Sequence, residues 1–294
     1  MKQSVKIAIA SGKGGTGKTT LATNLAAVLV KRNEDVVYID CDVEEPDGHI
    51  FFNPDIDSRR PVNVLVPKVD MSRCNFCGKC SEICEYNAIA VLSDKVMVFP
   101  SLCHSCGGCS NICPEQAIDE IPRAIGSINS GIGQGVRFYE GRLNIGEAFA
   151  PPVTKELRRS VAWSPVALID APPGTSCPVI EAVRETDFVI LVTEPTPFGL
   201  NDLKLAVEMT RALKLPFGVV INRSDLGDDR VDEYCREEGI DILLRIPFER
   251  RFAEAYSNGL MPLAVDPVYA DKLYALHNDI MKRIHNGGTG NTQR

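Results

Sequence analysis

The chain has 294 residues, 44% of them hydrophobic and 24% charged, and a formal charge of −7 from 32 Lys and Arg against 39 Asp and Glu. That describes a globular protein able to bury a full core in one large domain or two smaller ones, and an acidic balance without long runs of one sign gives no footprint for nucleic acid or a lipid surface. Eight of the eleven cysteines fall in two tight metal-ligand spacings, which points to a reducing, cytoplasmic setting and away from a disulfide framework, and no apolar stretch reaches the ~18 residues of a membrane span.

The run VKIAIA from Val5 to Ala10 predicts a strand ended by glycines, and KTTLATNLAAVLVKR from Lys18 predicts a helix. The opening MKQSVKIAIASGKGG passes straight from its short apolar run into a glycine loop, so it reads as a first strand and not as a signal peptide. DVVYIDCD, ending at Asp42, predicts a second buried strand; strand, helix and strand make a βαβ unit and imply a parallel sheet. The next clear central strand is PVALID, ending at Asp170, 128 positions later (170 minus 42), where crossovers need only ~10 to 12 residues or a little more. An insertion is implied. The expected division is 1–62, an insertion over 63–122, and 123–294, the last part opening with a short Gly-rich hairpin in AIGSINSGIGQGVRFYEGRLNIGEAF.

Alternation then resumes with a helix near Val179 to Arg184, strand FVILVT, helix LNDLKLAVEMTRALK, strand FGVVIN, a helix around Arg230 to Glu238, strand DILLRI and a last helix from Val268 to about Ile284. This predicts an α/β domain with a doubly wound, mostly parallel sheet. The tail NGGTGNTQR is expected to fray.

GKGGTGKT from Gly12 to Thr19 fits G-x4-G-K-T, directly after a strand and before a helix. Such a loop turns backbone N–H groups inward and presents a helix N-terminus, so Gly12, Lys13, Gly14, Gly15, Thr16, Gly17, Lys18, Thr19 and Thr20 form the candidate triphosphate cradle. Lys18 is expected on the β and γ phosphates and Thr19 on Mg2+. Asp40, Asp42 and Asp170 end the neighbouring strands; a carboxylate there can orient an attacking water or serve the metal.

Lys13 is not required by the ordinary motif. With it the KGGTGKT loop resembles that of the deviant phosphate-loop ATPases, the MinD, ParA and nitrogenase iron protein group. The resemblance implies an ATP-dependent homodimer in which Lys13 reaches the partner's phosphates, Asp42 in the first switch orients water, and Asp170 in DAPPG, the second switch, holds Mg2+ through water. It also implies that Asn222 contacts adenine, while Asp40 either serves the Mg2+ shell or merely ends its strand. Asn222, Arg223 and Asp225 approximate N-K-x-D as well, which keeps GTP open.

CNFCGKCSEICEY from Cys74 and CHSCGGCSNICPE from Cys103 both carry C-x2-C-x2-C-x3-C, 29 residues apart (103 minus 74), as two halves of one pseudo-symmetric module. Three thiols in such a turn wrap one corner of a cubane and a distant one closes it; zinc is the competing metal, but its sites usually pair two C-x2-C arms. In two-cluster ferredoxins the fourth cysteine of each run serves the other cluster. Carried over by position, one [4Fe-4S] cluster takes Cys74, Cys77, Cys80 and Cys113, and the other takes Cys103, Cys106, Cys109 and Cys84. The implied insertion is an α+β domain like a bacterial ferredoxin. Pro114 follows Cys113 as in that family, but Glu85 follows Cys84, and there the two clusters are expected to differ. Cys41 and Cys235 read as packed thiols, His104 as a solvated loop residue. Cys177 stands where the nitrogenase iron protein carries a cluster ligand, so a cluster bridging two copies is an open expectation.

The chain thus resembles MinD-type ATPases containing an inserted ferredoxin domain. The expected function is a nucleotide-dependent dimer that gates electron transfer through two [4Fe-4S] clusters to a partner protein. The alternatives are a cluster carrier or assembly ATPase that loads an accepting protein, and a MinD-like positioning protein with structural clusters; neither nucleic acid nor stable membrane insertion is expected.

Overall fold

β1 (Val5–Ser11) is buried from Ile7 to its end, α1 (Lys18–Lys31) buries Leu21, Leu25 and Leu29 on one face, and β2 (Val36–Asp40) is buried throughout. Runs of this kind, without polar alternation, belong to parallel strands covered on both faces. The computed structural model describes residues 4–264 and 266–287; most of the tail expected to fray lies outside them. After β2 come α2 (Gly48–Phe52), β3 (Asp55–Val69), α3 (Lys79–Glu82), β4 (Ile89–Val91), β5 (Val96–Val98), α4 (Gly108–Ile112), β6 (Ile118–Gly133), β7 (Val136–Leu143) and α5 (Pro151–Ser160). The second half holds β8 (Val166–Pro173), α6 (Cys177–Val183), β9 (Phe188–Thr193), α7 (Pro197–Ala212), β10 (Phe217–Asn222), α8 (Arg230–Glu237), β11 (Ile242–Ile246), α9 (Arg250–Ser257) and α10 (Pro267–His285).

Among the described residues nine strands form one sheet in the order β11-β10-β9-β1-β8-β2-β7-β6-β3. From β11 to β7 the neighbours are parallel, whereas β6 runs antiparallel to both β7 and β3. The α/β expectation, a mostly parallel sheet with helices on both faces, agrees with this. On one face α1 and α10 pack Leu25 and Leu29 with Leu273, Leu276 and Ile280. The other face carries α5 to α8 through Val153, Leu157, Val179, Leu203 and Val231.

The sheet departs from expectation at its far edge. The hairpin expected after the insertion was short, but β6 has 16 residues and pairs along its length with β3, a 15-residue strand that was not anticipated. β3 hid because its first half, DIDSRRP, is charged and exposed, and because Pro61 and Pro67 interrupt it. Proline has no N–H to donate and is tolerated on a sheet's edge, where it also deters edge-to-edge pairing. The expected boundaries at 62/63 and 122/123 fall inside β3 and β6, and the register shifts between Val62 and Asn63. Beyond that bulge the paired strands continue outward and carry the cysteine segments, with the β4–β5 hairpin and the short helices α3 and α4 between them.

His277 in α10 is 4% exposed, and neither ring nitrogen has a hydrogen-bond partner among the described residues. Burial pushes its pKa below the ordinary 6.5, against the pull of Glu34. A group depressed in the fold costs nothing while neutral; its penalty grows as pH falls below the unfolded value and levels off below the folded one. The buried carboxylates with raised pKa values act with the opposite sign, so the His277 contribution is read as a difference: between pH 7.5 and 5.5 the melting temperature of the parent should fall relative to that of His277→Phe, as thermal denaturation followed by circular dichroism would read.

Candidate functional site

β1, β8 and β2 end together: Ile9 lies opposite Asp170, and Asp170 opposite Asp40. The loop after β1 therefore opens beside two carboxylates, at the carboxyl edge where open α/β sheets bind ligands. Gly12 packs against the backbone of Asp202, where a Cβ would come within 2.1 Å of the carbonyl oxygen. Gly17 has φ 94°, and a Cβ there would meet Asn222 Nδ2 at 2.5 Å. No side chain caps α1, which leaves its first N–H groups for an anion. Lys18 is only 7% exposed, and Thr16 Oγ1 is buried without a partner among the described residues.

Burial lifts Asp42 to a pKa of about 6, although Lys18 pulls it down. Burial likewise raises Asp170, opposed by Lys18, by the Thr19 hydroxyl and by Tyr38, whose OH donates to Asp170 Oδ2 at 2.9 Å. Asp170 Oδ1 is buried and unpartnered among the described residues. An orphaned carboxylate oxygen beside Thr19 is the donor set a hard divalent cation takes, so the Mg2+ expectation fits. Asp40 does not join it: its two oxygens accept the N–H groups of Asp42 at 3.1 Å and Gly48 at 2.9 Å, so it holds the turn that follows β2. Asp47, which the motifs did not announce, does join it. Burial raises its pKa, against the opposing pull of the Thr19 hydroxyl and of Lys18. The D-x-D-x4-D spacing was the only signal that could have found it.

Lys13 is not free. Its Nζ lies 3.4 Å from Glu194 Oε2, and Arg223 holds the other oxygen of Glu194 at 2.7 Å. Glu194, 7% exposed, was also missed; it follows β9 in a TEPTP turn that carries no motif. Asn222 Nδ2 donates to the Thr16 carbonyl at 2.8 Å and so pins the phosphate loop. It also borders a cleft of about 370 Å³ walled by Leu21, Val192, Phe248, Phe252 and Tyr269. Asp225 accepts the Phe248 N–H at 2.6 Å, which engages the carboxylate that a guanine reading would need.

The eight cysteines of the two runs divide between two cavities. Cys74, Cys77, Cys80 and Cys113 line the first; Cys84, Cys103, Cys106 and Cys109 line the second. The repeat extends to single hydrogen bonds. Phe76 N–H donates to Cys74 Sγ at 3.4 Å and Ser105 N–H to Cys103 Sγ at 3.4 Å, while Ala88 donates to Cys84 at 3.2 Å and Ala117 to Cys113 at 3.3 Å. Each member of one half lies 29 positions from its counterpart (105 minus 76, 117 minus 88). Donors aimed at sulfur favour thiolate and raise the potential of iron bound to it. Among the described residues no three His, Cys, Asp or Glu side chains converge as a single metal ion requires. Burial raises the Cys80 thiol, and the Cys109 thiol to about 11, so a metal must displace those protons on binding.

Cys41 and Cys235 are buried, and burial raises both thiols, Cys235 to about 12. Cys177 is exposed at the start of α6. His104 is an exposed loop residue, and its ring stacks on Tyr86 with centroids 3.6 Å apart and planes 3° from parallel and meets Phe149 at 4.4 Å.

The family model described as the CobQ/CobB/MinD/ParA nucleotide binding domain matches residues 7–263. An uncharacterized protein of Methanocaldococcus jannaschii, MJ0579, is 29% identical over 88% of this chain and 91% of its own length. A Pyrococcus furiosus protein named iron-sulfur cluster carrier protein is 27% identical over 88% of this chain and 79% of its own length. Among solved structures, the septum site-determining protein MinD complexed with Mg-ADP, from Pyrococcus horikoshii, superposes with a TM-score of 0.58 at 19% identity, covering 95% of this chain and 97% of that one.

If Asp42 acts as a carboxylate, nucleotide hydrolysis should fall as pH drops through about 6. Asp42→Asn should lower turnover about 10²- to 10⁴-fold and remove that limb, read as phosphate release from pH 5 to 8. Lys13→Ala and Lys18→Ala should abolish hydrolysis with iron content unchanged; loss of iron together with hydrolysis would show that the two sites are not separable.

Proposed function

The chain belongs to the CobQ/CobB/MinD/ParA nucleotide-binding family, and from that premise we propose an ATP-hydrolysing iron–sulfur protein whose nucleotide-dependent homodimer gates electron delivery to a redox partner. The observation that carries this reading is the pair of four-thiol cavities in the same chain as a complete phosphate loop. Each thiol set is completed by the fourth cysteine of the other run, so opening one set disturbs both; this favours resident groups over cargo. Held there, two [4Fe-4S] clusters would supply the one-electron chemistry. The module is read as a ferredoxin-like insertion, about 63–122, between ATPase parts 1–62 and 123–294, in a cytoplasmic protein.

The residues have separate tasks in hydrolysis. The loop's N–H groups and Lys18 hold the β and γ phosphates, and Thr19, Asp170 and Asp47 surround the place for Mg2+. Asp42 accepts a hydrogen bond from the water that attacks the γ-phosphorus. The bond to the β–γ bridging oxygen breaks, leaving ADP and phosphate. Lys13 leaves Glu194 to meet the partner copy's phosphates. That exchange is local, because Glu194 keeps Arg223 and is not stranded as a buried lone charge. Phe198, 79% exposed at the start of α7, and Cys177 lie at the same sheet edge, where the partner copy would cover them. The cleft lined by Asn222 takes adenine in preference to guanine.

A second reading, a cluster carrier, is favoured by the name of the Pyrococcus furiosus relative. Anaerobic electron paramagnetic resonance of the dithionite-reduced protein, with and without Mg-ATP, separates the two. Gated transfer predicts that nucleotide changes the reduction potentials or rates and that iron stays bound when apo-ferredoxin is added. Potentials indifferent to nucleotide, together with transfer of iron and sulfide to apo-ferredoxin, would establish the carrier instead.

A further inference from the structure

The two cysteine cavities are alike in their thiols and N–H···S bonds but differ in what holds them to the nucleotide-binding body. Every residue lining the first cavity lies between Val69 and Ile118. The second is lined by Tyr86 and His104, and His104 stacks against Phe149, which lies outside the cysteine module and packs on the main core. The 29-residue repeat shows that this difference is local. The counterparts of His104 and Tyr86 are Asn75 (104 minus 29) and Glu115 (86 plus 29), and those two are joined by a 2.9 Å hydrogen bond from Asn75 Nδ2 to Glu115 Oε1. At matched positions, all four of them exposed, one half carries an aromatic stack that reaches Phe149 and the other carries a hydrogen-bonded polar pair.

Phe149 belongs to a segment, 144–149, that is tied at both ends. At its start, the Leu143 N–H donates to the Val43 carbonyl at 2.7 Å, directly after Asp42. Along its length, Asn144 donates to the Ala124 and Ile125 carbonyls at 3.1 and 2.8 Å, and Glu147 makes a two-pronged ion pair with Arg123. At its end it enters α5, whose Arg158 donates to the Glu181 carbonyl of α6 at 2.8 Å, and α6 follows the Asp170 strand. The Asp42–Val43 segment is thus bonded directly to the start of the Phe149 segment, and α6, which follows the Asp170 strand, is bonded to the helix at its end.

We infer that segment 144–149 is a coupling strap that conveys nucleotide state from Asp42–Val43 to the Cys84/Cys103/Cys106/Cys109 cavity through the Phe149–His104–Tyr86 stack, and leaves the other cavity unaffected. This rests on the proposed nucleotide and iron–sulfur reading. A shift of the Val43 carbonyl displaces Leu143, and the segment beyond, bonded to β6 and stacked on His104, cannot absorb the displacement as a free loop would. The cavity that responds is the one nearer the body; the Cys74 cavity keeps a constant structure at the outer end.

Hydrogen exchange measured by mass spectrometry on the full-length, iron-loaded protein, with and without Mg2+ and a non-hydrolysable ATP analogue, tests this. The four amides that donate to sulfur are the reporters. Nucleotide is expected to change exchange about threefold or more in peptides carrying Ala88 and Ser105, and not in those carrying Phe76 and Ala117. Phe149→Ala should abolish the change and Phe149→Tyr, which keeps a ring to stack, should retain it. His104→Asn with Tyr86→Glu, which installs the other half's pair, should abolish it as well. Equal responses at both cavities, no response in a protein that binds the analogue and holds iron, or an undiminished response in Phe149→Ala would overturn the strap alone. A parent protein that binds no analogue or holds no iron would overturn the function proposed above along with it.

Discussion

The structure depends first on β2 lying beside β8, with Asp40 opposite Asp170. The two residues are 130 positions apart (170 minus 40), and the entropy of closing so long a loop grows only slowly with its length. A whole module can therefore be carried in that loop, provided the strands that close it are buried deeply enough. They are: all five residues of β2 are buried, and β8 is buried up to its last residue. Asp40 spends both oxygens on the backbone of the departing chain, so the first turn of the excursion is fixed and Asp42 and Asp47 are aimed back at Lys18. Asp42, Asp47 and Asp170 then crowd around one ammonium group. Burial raises all three, and the charge of Lys18 opposes that rise.

The parallel core, the phosphate loop and the cysteine repeat were legible because each is written in consecutive residues. VVYID and FVILVT are apolar up to their last residue, as strands covered on both faces must be, and the loop and the cysteine runs have recognisable spacings. What was illegible rests on contacts distant in sequence. β3 is held by its pairing with β6 and not by its own composition. α5 begins Pro-Pro and is highly charged, and it forms because Val153 and Leu157 find the sheet. Glu194 matters only because Lys13, 181 positions earlier (194 minus 13), folds against it. The start of α7 was misplaced for a readable reason: Thr196 caps it by accepting the Gly199 N–H at 3.0 Å, a Thr-Pro start set ahead of the apolar periodicity.

The cysteine module shows how a repeat can be symmetric in chemistry and asymmetric in mechanics. Glu85 and Pro114, at matched positions, were the expected source of difference, yet the N–H···S bonds that follow them are nearly equal, 3.2 Å from Ala88 and 3.3 Å from Ala117. One carboxylate lines each cavity besides the thiols, Glu115 the first and Glu120 the second, but Lys79 lines the first where the repeat puts Gly108 in the second. With the sulfur donors nearly equal, the sites differ in that one lysine and in attachment. One residue past Glu85, Tyr86 lies on His104 and His104 against Phe149; one residue past Pro114, Glu115 accepts from Asn75 at the rim of its own cavity. An electrostatic difference would act whatever nucleotide is bound. A difference of attachment acts only when the body moves, which is the property a gate requires.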